Sequence, residues 1–305
     1  MSAVPSDETA SWYEASARKR VDLLLDAGSF QEFIGPEQRE VSPHLKVFDL
    51  PEQFDDGIVV GRGTLGGSPV FVAAQEGRFM GGAFGEVHGA KLTGLLRAAR
   101  DIKSIPVLIL FDTGGVRLQE ANAGELAIAE IMRAAIEARL AGVKVVGLIG
   151  GRAGCYGGGG LIAACCSALA VSEQGRIAVS GPEVIETNRG VEEFDSKDRA
   201  LVWRTMGGKH RRLLGGADAF ADDTVLAFRA AALELLGSAG GFGLDILRAE
   251  QARLEDRLKR FGACADALDI WTAEGVADAA AIPGMPAGPF ILIADRVRRT
   301  GRDAR

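Results

Sequence analysis

The sequence predicts an α/β fold built on a largely parallel, helix-covered sheet, and three observations carry that prediction. Residues 106–112 and 143–149 are apolar at nearly every position, as in Val107-Leu108-Ile109-Leu110-Phe111, which is how strands covered on both faces read. The segments between and beside them, 88–102 and 123–140, place apolar residues at helical spacing, such as Leu92, Leu95, Leu96 and Ala99. Glycine-rich stretches follow the strands, at the exits where open α/β sheets place their ligands.

Taken in order, residues 11–26 set Trp12, Val21, Leu24 and Leu25 among charges and end at Ala27-Gly28, so an amphipathic helix with a glycine stop is expected. Residues 30–56, punctuated by Pro36, Pro43 and Pro51, read as an irregular, wrapping arm. Strands at 58–65 and 70–75 flank Gly66-Gly67-Ser68-Pro69 and predict a hairpin. This hairpin decides another matter. Gly61-x-Gly63-x-x-Gly66 matches the dinucleotide fingerprint, but that motif needs a helix to open at its third glycine, and here a turn and a second strand follow. A nicotinamide-binding reading is therefore set aside.

Beyond the hairpin the pattern predicts a helix at 88–102, a strand at 106–112, a helix at 123–140 stopped by Gly142, and a strand at 143–149. A loop at 150–156 then leads into a helix from 157 to about 168, with short strands at 169–172 and 176–180. Residues 181–262 read as mostly helical, with a loop at 218–223 before a helix at 225–236 and a charged amphipathic helix at 244–261. An arm (1–56), a central domain (57–262) and a C-terminal extension (263–305) divide the chain. Arg296, Arg298, Arg299, Arg302 and Arg305 read as a solvated, fraying end, and Lys209-His210-Arg211-Arg212 as a solvated helix face. Apolar positions in 121–140 and 225–236 are compatible with a subunit interface.

Composition narrows the function. With 47% hydrophobic and 25% charged residues over 305 positions, disorder is excluded as the main state. The 35 Lys+Arg against 41 Asp+Glu give a net charge of −6, a poor basis for binding nucleic acid or anionic membrane. No apolar run reaches the ~20 residues of a membrane span. Cys155, Cys165, Cys166 and Cys264 lack CxxC spacing, which suits buried thiols in a reducing compartment, so a soluble cytoplasmic protein is expected.

Conventional catalysts are scarce. The three histidines, His44, His88 and His210, stand at no metal spacing, and neither a GxSxG elbow nor a phosphate-binding P-loop is present. Cys155 lies just ahead of a helix start, where a thiol can be activated, but no partner base is evident and a small residue filling a tight loop is the better reading. Backbone remains. The stretches Phe79 to Gly85, Thr113 to Glu120 and Gly154 to Gly160 each combine glycines with a strand exit or helix start, where free N–H groups can meet developing negative charge.

These residues resemble a family. Asp112 to Glu120 is similar to the SGGARxQE signature of biotin-related carboxyltransferases, with Thr113 and Val116 replacing Ser and Ala. Gly181-Pro182-Glu183-Val184-Ile185-Glu186 resembles the family's GPxVIE segment, and Phe79 to Gly85 its GGSxG turn. The resemblance spans residues 11–236 and implies the crotonase-like fold, a spiral of ββα units. Within the family the chain most resembles the β subunits of biotin-independent malonate decarboxylases, through Glu76 to Lys91, Gly154 to Gly160 and Thr187-Asn188-Arg189-Gly190. Acetyl-CoA carboxylase β subunits normally carry a four-cysteine zinc ribbon ahead of this domain, and no cysteine precedes residue 155.

The resemblance implies a homologous γ subunit as partner and a malonyl thioester carried by an acyl carrier protein on a CoA-like (phosphoribosyl-dephospho-CoA) prosthetic arm. No biotin, metal or covalently bound cofactor is implied for this chain. Decarboxylation to the acetyl thioester needs an oxyanion pocket. Its donors would be the N–H of Gly115 or Val116 and that of Gly157 or Gly158, with Gly81, Gly82, Ala83, Gly114, Gln119 and Tyr156 contacting substrate. Arg117 and Glu120 are expected to hold the first loop, as an ion pair. The alternative is a biotin-dependent acyl-CoA carboxyltransferase using the same pocket.

Overall fold

A computed structural model describes residues 9–49, 57–120 and 122–300. Its strands are β1 (Gln31–Glu32), β2 (Ile58–Leu65), β3 (Ser68–Gln75), β4 (Val107–Phe111), β5 (Val145–Ile149), β6 (Cys155–Tyr156), β7 (Ala168–Val171), β8 (Ile177–Ala178) and β9 (Ala219–Phe220). Its α-helices are α1 (Ala17–Leu24), α2 (Glu86–Ile102), α3 (Asn122–Leu140), α4 (Gly158–Ala164), α5 (Pro182–Arg189), α6 (Arg199–Met206), α7 (Gly208–Leu213), α8 (Val225–Ser238), α9 (Leu244–Phe261), α10 (Ala267–Ala273) and α11 (Ala287–Thr300). Seven strands form one sheet in the order β1-β2-β3-β4-β5-β7-β9, and β6 pairs with β8 in a second, two-stranded one. The pairs β1–β2 and β2–β3 are antiparallel; every later neighbour in the main sheet is parallel.

The continuous apolar runs have the expected cause. Val107, Ile109 and Phe111 of β4 face one core, shared with α2 and α3, whereas Leu108 and Leu110 face another, shared with α1 and α8. Because side chains alternate across a pleated strand, covering both faces demands an apolar residue at each position. The hairpin also forms: β2 and β3 are joined by Gly66 and Gly67, both at positive φ (59° and 76°), as the tight two-residue turn that follows strand twist requires. No helix opens there, so the dinucleotide motif is a coincidence of turn glycines.

Several expectations need correction. The first helix covers residues 17–24 and not 11–26; the Ser16 side chain caps it by accepting from Lys19 N–H, and residues 12–14 form turns before it. The arm is irregular apart from β1 and two short 3₁₀ turns, with 50–56 outside the described residues. Helix α4 ends at Ala164 rather than near 168, because Ser167 N–H turns to the Val145 carbonyl (2.6 Å) and leads the chain into β7. The expected loop 218–223 contains strand β9, with Asp218 N–H bonded to Leu169 O and Ala221 N–H to Val171 O (both 2.8 Å).

The C-terminal segment is a docked part of the molecule. Trp271 of α10 and Phe290, Ala294 and Val297 of α11 are buried in the same core as α2 and α3, and Phe220 meets Phe290 edge-on at 4.7 Å. Arg298 donates to the Asp218 carbonyl (3.0 Å), so this arginine anchors a helix and does not fray; Arg302 and Arg305 lie outside the described residues. The 209–212 cluster is likewise no solvated face. Lys209 is buried, with Nζ bonded to Glu173 and to the carbonyls of Pro283 and Met285, and Arg212 pairs with Asp295.

Candidate functional site

At the C-terminal ends of β3, β4 and β5 the chain makes four strand-like passes that lie side by side. Gly114 N–H bonds to Gly81 O and Phe84 N–H to Gly115 O (both 2.8 Å), joining the turn at 80–85 to the loop after β4. Thr113 N–H bonds to Gly154 O (2.8 Å) and Tyr156 N–H to Thr113 O (3.0 Å), joining that loop to the one after β5. Cys155 N–H bonds to Arg176 O and Gly157 N–H to Ala178 O, adding β8 as the fourth pass. Nearly all of this lacing is main chain, which explains why small residues dominate it.

The lacing decides which amides remain. Gly115 N–H is taken by the Thr113 hydroxyl (3.1 Å) and Gly157 N–H by Ala178 O (3.1 Å). Both hydrogens are already engaged, which favours Val116 and Gly158 over the sequence-based alternatives Gly115 and Gly157. Val116 N–H and Gly158 N–H have no hydrogen-bond partner among the described residues. For Gly158 the reason is positional, since the first amides of a helix have no carbonyl one turn behind. Gly157 turns the chain into α4 at φ 57° and ψ −129°, a conformation in which a Cβ is strongly disfavoured. A methyl on it would also sit 3.3 Å from the Gly115 Cα, so the two loops meet at this pair of glycines.

Side chains fix the frame. Arg117 and Glu120 form an ion pair (3.1 Å) with both side chains fully enclosed. Arg117 Nε also donates to Ala83 O (2.8 Å), and a Glu120 oxygen accepts the Glu86 N–H. The ion pair expected from the sequence is thus present, and it ties the 80–85 turn and the start of α2 to the loop. A second buried pair is absent from the sequence-based expectations. Arg20 of α1 donates to Asp112 (2.8 Å; side chains 1% and 4% exposed), and the other Asp112 oxygen accepts Ala153 N–H (2.7 Å). Asp112 therefore clamps the loop after β5 to the end of β4. Its partner leaves a trace in the sequence: Ala17, Arg20, Val21 and Leu24 form the buried stripe of α1, so one arginine stands at an apolar position.

Of the remaining expected contact residues, Gly81, Gly114 and Gln119 are exposed, Ala83 is half-buried and Gly82 is buried. Tyr156 is buried, its ring packed with Val202 and Met206, and burial raises its phenol pKa. Cys155 is completely buried, and desolvation pushes its thiol well above the usual range. That removes the nucleophile reading, because a thiolate is what attacks.

A carboxyl transferase domain matches residues 14–218. The chain belongs to the carboxyltransferase family. It is 38% identical to the malonyl-S-ACP:biotin-protein carboxyltransferase MADC of Malonomonas rubra, over 94% of this chain and 96% of that one. It is also similar to a chain of the Pseudomonas malonate decarboxylase hetero-tetramer solved in complex with malonate (TM-score 0.76, 40% identity, 85% of this chain and 95% of that one). The propionyl-CoA carboxylase β chain of Roseobacter denitrificans is 33% identical over only 56% of this chain and 33% of its own length. Within the carboxyltransferases, the likeness to the malonyl-S-ACP carboxyltransferase and to the malonate decarboxylase chain thus covers 94% and 85% of this chain, and that to the propionyl-CoA carboxylase chain is partial. The fold is the crotonase-like one of this family.

Proposed function

We propose that the chain is the β subunit of a malonate decarboxylase. With a homologous γ subunit it converts a malonyl thioester on an acyl carrier protein to the acetyl thioester and CO2. The observation that carries this reading is the pair of unpartnered amides, Val116 and Gly158, in two loops laced edge to edge. Support from likeness comes from two relatives, one named for malonyl-S-ACP and the other solved as a hetero-tetramer with malonate.

The chemistry asks little of side chains. The bond between the malonyl carboxylate and Cα breaks, its electron pair moves into the thioester, and the charge settles on the carbonyl oxygen as an enolate. Val116 N–H and Gly158 N–H donate to that oxygen. The lacing of the two loops fixes both amides before the reaction, so stabilising the new charge costs little reorganisation. Arg117, Glu120, Arg20 and Asp112 hold the donors in place. The exposed Gly81, Gly114 and Gln119 border the thioester, and the enolate takes a proton at Cα from water or from the partner subunit. The CoA-like arm belongs to the carrier protein and enters as part of the substrate.

A second reading is favoured by one relative's name: the carboxyl group could pass to biotin on a carrier protein, through the same enolate. One experiment separates the two. The chain is mixed with its partner subunit, malonyl thioester and a biotinylated carrier protein, with and without avidin, and acetyl thioester is followed. Product formed equally in avidin supports direct decarboxylation; product lost in avidin establishes the biotin route.

A further inference from the structure

Helix α9 breaks a rule that the other long helices obey. An amphipathic surface helix turns its apolar stripe to the core, yet none of the 18 residues of α9 is buried. Its apolar positions are not scattered. Leu244, Leu247, Leu254, Leu258 and Phe261, with Gln251, follow a 3-4-3-4-3 spacing, the repeat of a coiled-coil seam. The four leucines are 61%, 53%, 46% and 73% exposed. The helix is fastened to the body along a different stripe, through Arg253 to the Leu214 carbonyl and Arg260 to Glu274. The seam is therefore left open.

We infer that this seam is covered by α9 of a second copy of the chain, running antiparallel. The charges flanking the seam select this arrangement. Stacking Leu244 on the second copy's Phe261, Leu247 on its Leu258 and Gln251 on its Leu254 brings the exposed Arg248 opposite the exposed Glu255. Each contact occurs twice by the two-fold axis. In a parallel pair Glu250 would instead oppose Glu255, and the outer positions would meet Gly243 and Gly262. Opposite charges at such positions set helix orientation, and a lone polar residue in the seam sets register, which is the role left for Gln251. A helix of about 27 Å is too short to pair stably by itself; here it joins two bodies that are already folded.

Sedimentation velocity of the purified full-length chain over a concentration series tests this, without reference to turnover. The unmodified chain forms a reversible dimer. Arg248→Glu replaces two attractions by two repulsions and weakens the dimer roughly tenfold. Glu255→Arg does the same, and the double variant restores affinity. Leu258→Glu abolishes the dimer while leaving Tm unchanged, since the position is exposed. A chain that stays monomeric, a dimer indifferent to Leu258→Glu, or a double variant no better than the singles overturns the inference. So does a seam that, in a mixture with the partner subunit, is needed only for the mixed complex.

Discussion

The loop at 113–120 is braced by side chains, and the loop at 150–157 mainly by main chain. In the first, an enclosed guanidinium–carboxylate pair, Arg117 with Glu120, spans the loop and reaches both Ala83 and Glu86. In the second, glycines let the backbone press against Thr113, Arg176 and Ala178, and charged groups reach in from outside: Asp112 accepts the Ala153 N–H, Arg176 donates to the Arg152 carbonyl and Arg152 pairs with Glu14. Val116 in the first and Gly158 just beyond the second keep amides without a hydrogen-bond partner among the described residues. The two loops should fail differently: losing a charge should cost the fold, whereas adding a side chain should cost the reaction and spare the fold.

The largest expected effect follows from Glu120→Ala. It leaves Arg117 buried without its counter-charge, and breaking such a pair typically costs ~3–5 kcal/mol. Calorimetry should show a large drop in Tm; an unchanged Tm would mean that the loop does not depend on the pair. The next is Gly158→Val. Its Cβ would lie 2.6, 2.7 and 3.1 Å from the Ile128 Cδ1, Cγ1 and Cγ2, so Ile128 is cut to alanine in the same variant to make room. Displacing or shielding the amide should lower kcat about 10²–10³-fold, equivalent to ~2.7–4 kcal/mol, with little change in KM. Retained kcat in a folded variant would remove Gly158 from the mechanism.

A smaller effect, distant from both loops, tests the same logic on a neutral buried group. His210 accepts from the Trp271 indole (3.2 Å), and burial, helped by Arg211, pushes its pKa down from 6.5 to about 3. The unfolded chain protonates this imidazole near pH 6.5 and the folded chain only near 3, so the extra proton below 6.5 goes to the unfolded state. Stability should therefore fall on acidification by up to ~1.4 kcal/mol per pH unit. His210→Gln should flatten that slope, measured as Tm against pH. The smallest effect is expected at Cys155. Its thiol is enclosed and protonated, so Cys155→Ala should leave turnover unchanged and native protein should resist thiol reagents at this position.

Much of the frame is legible in the amino-acid order. Strand-forming runs, helical spacing and the Gly66-Gly67 turn are local patterns, and β2 to β5 with α2 and α3 fall within a few residues of where those patterns put them. The Arg117–Glu120 pair is legible too, because two opposite charges three residues apart in a glycine loop have little room to avoid each other. The role of Asp112 is not, since its partner lies 92 positions away on α1. Lys209 and Arg212 read as solvent-facing charges only because the segments that cover them, around Pro283 and Asp295, are far along the chain.

What the sequence by itself determined is the order and type of the elements and the glycine bends between them, because those depend on side-chain periodicity and on the backbone freedom of single residues. Which of Gly157 and Gly158 keeps its amide hydrogen was decided only by tertiary structure: the two are equivalent in one dimension until Ala178 arrives to claim the first. Gly115, by contrast, is claimed locally by the hydroxyl of Thr113 two residues before it, and a hydrogen bond is spent on whichever acceptor lies within about 3 Å.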